Sequence, residues 1–132
     1  MFDLLTIKAK ETDFVPLKDG TGTPYTDPET GDELGVTVYG PTTPIGKKAK
    51  EKMFKRINDN AALPKSKQNA KAGEEAAQEY LKEVVTGFVG FTIGDKQGKE
   101  AIEAFATMPE LRLHAEQVLA YLLDNSNFLP TA

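Results

Sequence analysis

The chain has 132 residues, 39% of them apolar and 27% charged, which fits one domain or a compact body with one arm and excludes two independent catalytic domains. It has no cysteine, no tryptophan and one histidine, His114, so disulfides, thiol nucleophiles and Cys/His zinc sites are excluded and any histidine triad would rest on one residue. The net charge of −4 is the balance of three unlike segments: −5 over residues 1–45, +7 over 46–71 and −6 over 72–132.

A basic stretch between acidic flanks points to contacts between copies, or to an acidic partner. It points to these more than to a protein coated in nucleic acid, because the flanks repel phosphate. The plainer reading is a solvated helix face, since exposed lysine mostly serves solubility. The opening Met1-Phe2-Asp3-Leu4 lacks the basic and apolar runs of a signal peptide, and no segment approaches the roughly 20 apolar residues that span a bilayer. With no cysteine, the expected setting is the cytoplasm, away from membranes.

Residues 2–10 place Leu5, Ile7 and Ala9 on one face at the period of a half-buried strand. Residues 18–33 are dense in Gly, Pro, Thr and Asp and predict a long exposed loop. Leu34 to Gly40 then returns as a strand with Val36 and Val38 on one face, giving an antiparallel pair that needs a helical cover. That cover starts at Thr42 or Thr43 as N-cap with Pro44 in the first turn, and buries Ile45, Ala49, Met53 and Ile57 with Phe54 beside them. Residues 64–73 hold almost nothing to bury and predict a polar hinge or a solvated helical turn.

A second helix is expected from about Glu74 into Phe88, striped by Ala77, Tyr80 or Leu81, Val84 and Phe88. Gly94 to Gly98 reads as a turn, and a short third helix is anchored by Ile102, Phe105 and Ala106. Thr107-Met108-Pro109-Glu110 has the form of a capping box before a fourth helix carrying Leu111, Ala115, Val118, Leu119 and Leu122. Asp124 to Asn127 ends it, ahead of Phe128 and Leu129.

The fold class is therefore α+β, predominantly α-helical, with an N-terminal antiparallel hairpin packed against about four helices. As one domain over 1–132 it divides into a hairpin with an acidic loop (1–41), a basic helix (42–63), a polar hinge (64–73) and a helical C-terminal part (74–129).

Few residues invite chemistry. The run from Gly40 to Lys48 has five residues between its glycines where a phosphate loop has four, and Lys48 stands where that loop needs Ser or Thr. The acidic loop with Asp19, Asp27, Glu29, Asp32 and Glu33 matches no register of an EF-hand. Glu79 and Glu83 are surface carboxylates beside Lys82, without a cleft, and His114 sits at the edge of an apolar stripe. The lysines of helix 44–57 lack interleaved aromatic platforms for nucleic acid. No catalytic, metal or cofactor site is expected.

The order of segments carries more. "GDELGVTVYGP" leads to a Thr-Thr-Pro helix start and a long polar helix, and "VVTGFVGFTIGDKQGKEAIEAFATMPELRLHAEQVLAYLLDNSNFL" follows. This order resembles the tail assembly chaperones of long-tailed, lambda-type bacteriophages. That family's Gly-strand-Gly-Pro hairpin corresponds to Gly35 to Pro41. Its W/F-x-G-hydrophobic patch corresponds to Phe88-Val89-Gly90-Phe91, with Phe88 in the usual tryptophan's place. Its closing hydrophobic-x-x-x-x-D/N-x-x-N-F corresponds to Leu119 through Asn127-Phe128. The loop at 18–33 is longer than the family's pattern.

The resemblance implies a non-enzymatic protein that binds the tape measure protein, recruits tail tube subunits, self-associates into homo-oligomers and is absent from the finished virion. A sticky helical client needs apolar surface, and Phe88, Phe91, Val118, Leu122 and Phe128 are the candidate contacts, each also suited to the core. The alternatives are a structural tail or connector component and a nucleic-acid-associated factor using the basic helix 44–57.

Overall fold

The computed structural model describes residues 11–129. Within them, a three-stranded antiparallel sheet in the order β1-β2-β3 is covered by four α-helices, so the α+β, mostly helical class holds. The strand expected over 2–10 lies outside the described residues. The strand that pairs with β2 (Gly35–Tyr39) is β1 (Thr12–Pro16), in a register from Thr12 opposite Tyr39 to Pro16 opposite Gly35. Ending on proline, which cannot donate to a ladder, β1 suits the sheet edge that it occupies. Val15, Val36 and Val38 turn to one face and are buried, as a two-residue period requires.

The long loop between these strands is pinched at its middle. Leu17 and Tyr25 bond across it (Tyr25 N to Leu17 O, 2.9 Å), and Leu34 N donates to Tyr25 O at 2.9 Å. Asp19 organises the first half by accepting from Thr21 N, Thr21 Oγ1 and Thr23 N, and Asp27 accepts from Glu29 N in the second. These are the local turns that Asx residues favour.

Helix α1 (Pro44–Ala61) begins as the sequence indicated: Thr43 Oγ1 accepts from Gly46 N at 3.0 Å and Pro44 holds the first position. A methyl group at Gly46 would overlap the Gly40 carbonyl oxygen, so the first turn lies directly on the exit of β2. That contact corrects the expected stripe. Gly46, Ala49 and Met53 are buried and Ile57 is partly covered, while Ile45 and Phe54 stay 47% and 42% exposed.

Of the two readings of 64–73, the solvated helical turn forms, as a 3-10 turn at Lys65–Lys67. It is clasped by Asn60, whose Nδ2 donates to Asn69 O at 3.1 Å and whose Oδ1 accepts from Asn69 N at 2.8 Å. The chain reverses into α2 (Ala72–Val84), which packs along α1 and buries Ala72, Ala76, Tyr80, Leu81 and Val84. Arg56 pairs with Glu75 and Lys52 with Glu83 across this helical hairpin.

The helix expected to continue into Phe88 stops at Val84. Val85–Val89 is instead β3, antiparallel to β2 with a register shift at Thr37/Val38. β-branched Val84, Val85 and Thr86 followed by Gly87 are poor helix formers, and the open side of β2 offers the ladder that they suit. Thr37 and Thr86 hydroxyls meet at 2.7 Å on the sheet's outer side.

Helix α3 (Gly98–Thr107) buries Ala101, Ala104, Phe105 and Ala106, with Ile102 half-buried beside them. The capping box does not form. Thr107 is the last residue of α3 and its hydroxyl donates back to Glu103 O at 2.7 Å. Met108, extended before Pro109 as the proline ring demands, leads through a 3-10 turn at Pro109–Leu111 into α4 (Arg112–Leu123) without a side-chain cap. Ala115, Val118 and Leu122 of α4 are buried, and Leu111 and Leu119 pack at the margin. Asp124 accepts from Ser126 N and Oγ, starting the 3-10 turn Asn125–Phe128 that returns Phe128 to the core.

Candidate interaction surface

Among the described residues no three His, Cys, Asp or Glu side chains gather to hold a metal ion, and no polar or charged residue is fully buried. No helix among them is long and apolar enough to cross a membrane. The Gly40-to-Gly46 run is the strand-to-helix turn already described, with Thr43 spent on the cap. His114 is half-buried with its ring 5.6 Å from that of Tyr25 and Nε2 3.3 Å from the Tyr25 hydroxyl.

The five candidate contacts divide. Val118, Leu122 and Phe128 are 0%, 0% and 1% exposed, which places them in the core, the alternative that the sequence also allowed; Phe128 in addition lines the wall of a groove beside α1. Phe88 and Phe91 are half-buried, their rings 5.1 Å apart, with Phe88 5.4 Å from the buried Phe105. The core thus holds one side of this aromatic row and leaves the other in solvent. Gly90, with φ +81°, makes the turn between the two rings beneath Leu34, whose side chain a methyl there would overlap.

The sheet adds a surface that sequence reading missed. Strand alternation puts Thr12, Phe14 and Pro16 of β1, Gly35, Thr37 and Tyr39 of β2, and Thr86, Gly87 and Val89 of β3 on the face away from Val15, Val36 and Val38. None of these nine is charged, in a chain that is 27% charged. Phe14 and Tyr39 are half-exposed and Val89 is 42% exposed. The alternation in β2 was visible in the sequence; its neighbours across the sheet were not, because β1 and β3 were not recognised.

Of the grooves along the helices, two combine apolar and charged lining over more than one helix end. One, of about 380 Å³, lies between α2 and the α3–α4 junction over Ala77, Leu81, Met108 and Leu119. The other, of about 940 Å³, runs between α1 and the turn after α4, lined on α1 by Lys47, Lys50 and Lys55 with one acid, Glu51, among them, and by the apolar Phe54 and Leu129. Lys55 is paired with Asp59 at 2.6 Å; Lys47 and Lys50 have no ion-pair partner among the described residues. They stand in the first turns of α1, where the helix dipole adds positive potential.

Among the described residues the arrangement offers surfaces for binding. No protein-family model matches the chain, and no curated protein and no solved structure matches it.

Proposed function

We propose that this chain is a phage tail assembly chaperone, a non-enzymatic protein of the host cytoplasm that binds the tape measure protein, recruits tail tube subunits and leaves before the virion is complete. The observation that carries the reading is the order of its segments. The supporting residues fall at element ends: Gly35 to Pro41 is β2 and its exit, Phe88 to Phe91 ends β3 and leaves it, and Leu119 to Phe128 ends α4 and forms the turn after it. An uncharged sheet face and a half-exposed aromatic pair supply the kind of surface that holds an aggregation-prone helical client.

Co-expression with the tape measure protein of the same genome, followed by pull-down and a solubility assay, tests this. A tape measure protein kept soluble and co-purified is the expected result. One that stays insoluble and unbound overturns it, and recovery of this chain from purified virions would favour a structural tail or connector subunit. The unpaired Lys47 and Lys50 favour, as a second reading, a nucleic-acid-associated factor, which requires binding to nucleic acid that survives physiological salt.

A further inference from the structure

The acidic loop and the basic groove lie at opposite ends of α4. The loop docks on its N-terminal half: Lys18 and Gln117 exchange two hydrogen bonds, at 2.9 and 2.8 Å, and Tyr25 meets His114. The groove lies beyond its C-terminal end, walled there by Asn125, Phe128 and Leu129. From His114 to Leu123, where α4 ends, the helix rise alone separates them by about 14 Å. Glu29, Asp32 and Glu33 on the loop are exposed and have no ion pair among the described residues, as Lys47 and Lys50 have none.

We propose that the groove between α1 and the turn after α4 receives the acidic loop of a second copy, with Lys47 and Lys50 meeting Glu29, Asp32 and Glu33, in a head-to-tail contact. The charges that one chain keeps apart are complementary between two. The apolar Phe54 and Leu129 of the groove and the 39% exposed Tyr25 at the loop's middle supply the uncharged part of the contact. Because the two patches differ, the contact is heterologous and propagates into an open row or a ring. Its charge dependence is steep, since both patches face solvent. This inference rests on the charge map and does not depend on the tail-assembly reading.

The test is sedimentation velocity on the full chain from about 20 to about 500 mM salt, over which the Debye length falls from about 20 to about 4 Å. Mass should rise with protein concentration at low salt and association should weaken about tenfold or more at high salt. Lys47→Glu with Lys50→Glu, and separately Glu29→Lys with Asp32→Lys, should each abolish association while the circular dichroism spectrum is unchanged, three of the four residues being exposed and Lys50 half-buried. Mixing the two charge-reversed proteins should restore it. A wild-type chain that stays monomeric at low salt overturns the proposal, as do reversed variants that still associate, or a groove that binds a single-stranded oligonucleotide but no second copy.

Discussion

Tyr80 and Tyr121 place their hydroxyls in unlike surroundings. Tyr80 is 1% exposed, its hydroxyl has no hydrogen-bond partner among the described residues, and burial pushes its pKa up to about 12. Tyr121 is raised above the ordinary tyrosine range, first by burial and then by the Asp13 carboxylate to which it donates. Both folded-state pKa values lie above the unfolded value of 10.0. Their contribution is therefore fully present below pH 10 and is lost as pH rises through the folded values, because the unfolded chain releases its protons first. In denaturant titrations stability should fall as pH rises above 10, less steeply in a Tyr80→Phe/Tyr121→Phe double variant. At neutral pH, Tyr80→Phe should be neutral or stabilising by up to about 1–2 kcal/mol, since it removes an unsatisfied buried hydroxyl, whereas Tyr121→Phe should cost about 1–2 kcal/mol.

At the scale of elements, the helical hairpin depends on its connection as well as its faces. Neither α1 nor α2 carries a stripe that would hold it alone in water, and the exposed ion pairs Lys52–Glu83 and Arg56–Glu75 add little. The Asn60–Asn69 clasp fixes the turn between the helices through two reciprocal hydrogen bonds. Asn60→Ala should cost about 1–3 kcal/mol, at about 0.5–1.5 for each of the two bonds lost. Amide exchange over residues 62–71 should quicken before it does in the sheet; equal acceleration everywhere would show that the clasp is part of the global unfolding unit. β3 shows the complementary case, an element whose identity depends on a neighbour: Val85 to Val89 is a strand because β2 leaves an open edge beside it.

For the whole molecule, one cluster of buried side chains draws on every strand and every α-helix among the described residues. Leu122, at its centre with 0% exposure, should cost about 2–5 kcal/mol on truncation to Ala, seen as a lower denaturant midpoint. Leu113, 73% exposed on the same helix, should change stability by less than about 0.5 kcal/mol as Leu113→Ser. A loss at Leu113 matching that at Leu122 would place α4 differently. Charge is partitioned at this same scale, with the acidic loop docked on the N-terminal half of α4 and the basic groove beyond its C-terminal end.

Local chemistry made several features legible from the residues alone. Thr43 and Pro44 mark the start of α1, alternation in Gly35–Tyr39 marks β2, and Ala115, Val118 and Leu122 mark the inner face of α4, because each signal lies within one turn or one strand. Tertiary structure decided the rest. Thr107 and Glu110 have capping-box spacing, yet Pro109 and the end of α3 claim those residues first. Val85 to Val89 became a strand, and the uncharged outer sheet face came into being, only when three distant segments paired. The candidate site followed the same division: the charge segments and the aromatic pair Phe88/Phe91 could be read along the chain, but burial set Val118, Leu122 and Phe128 apart from them. Which side chains face solvent, and which opposite charges one chain holds apart, are properties of packing, because they depend on what lies across the core and not on the residues next in sequence.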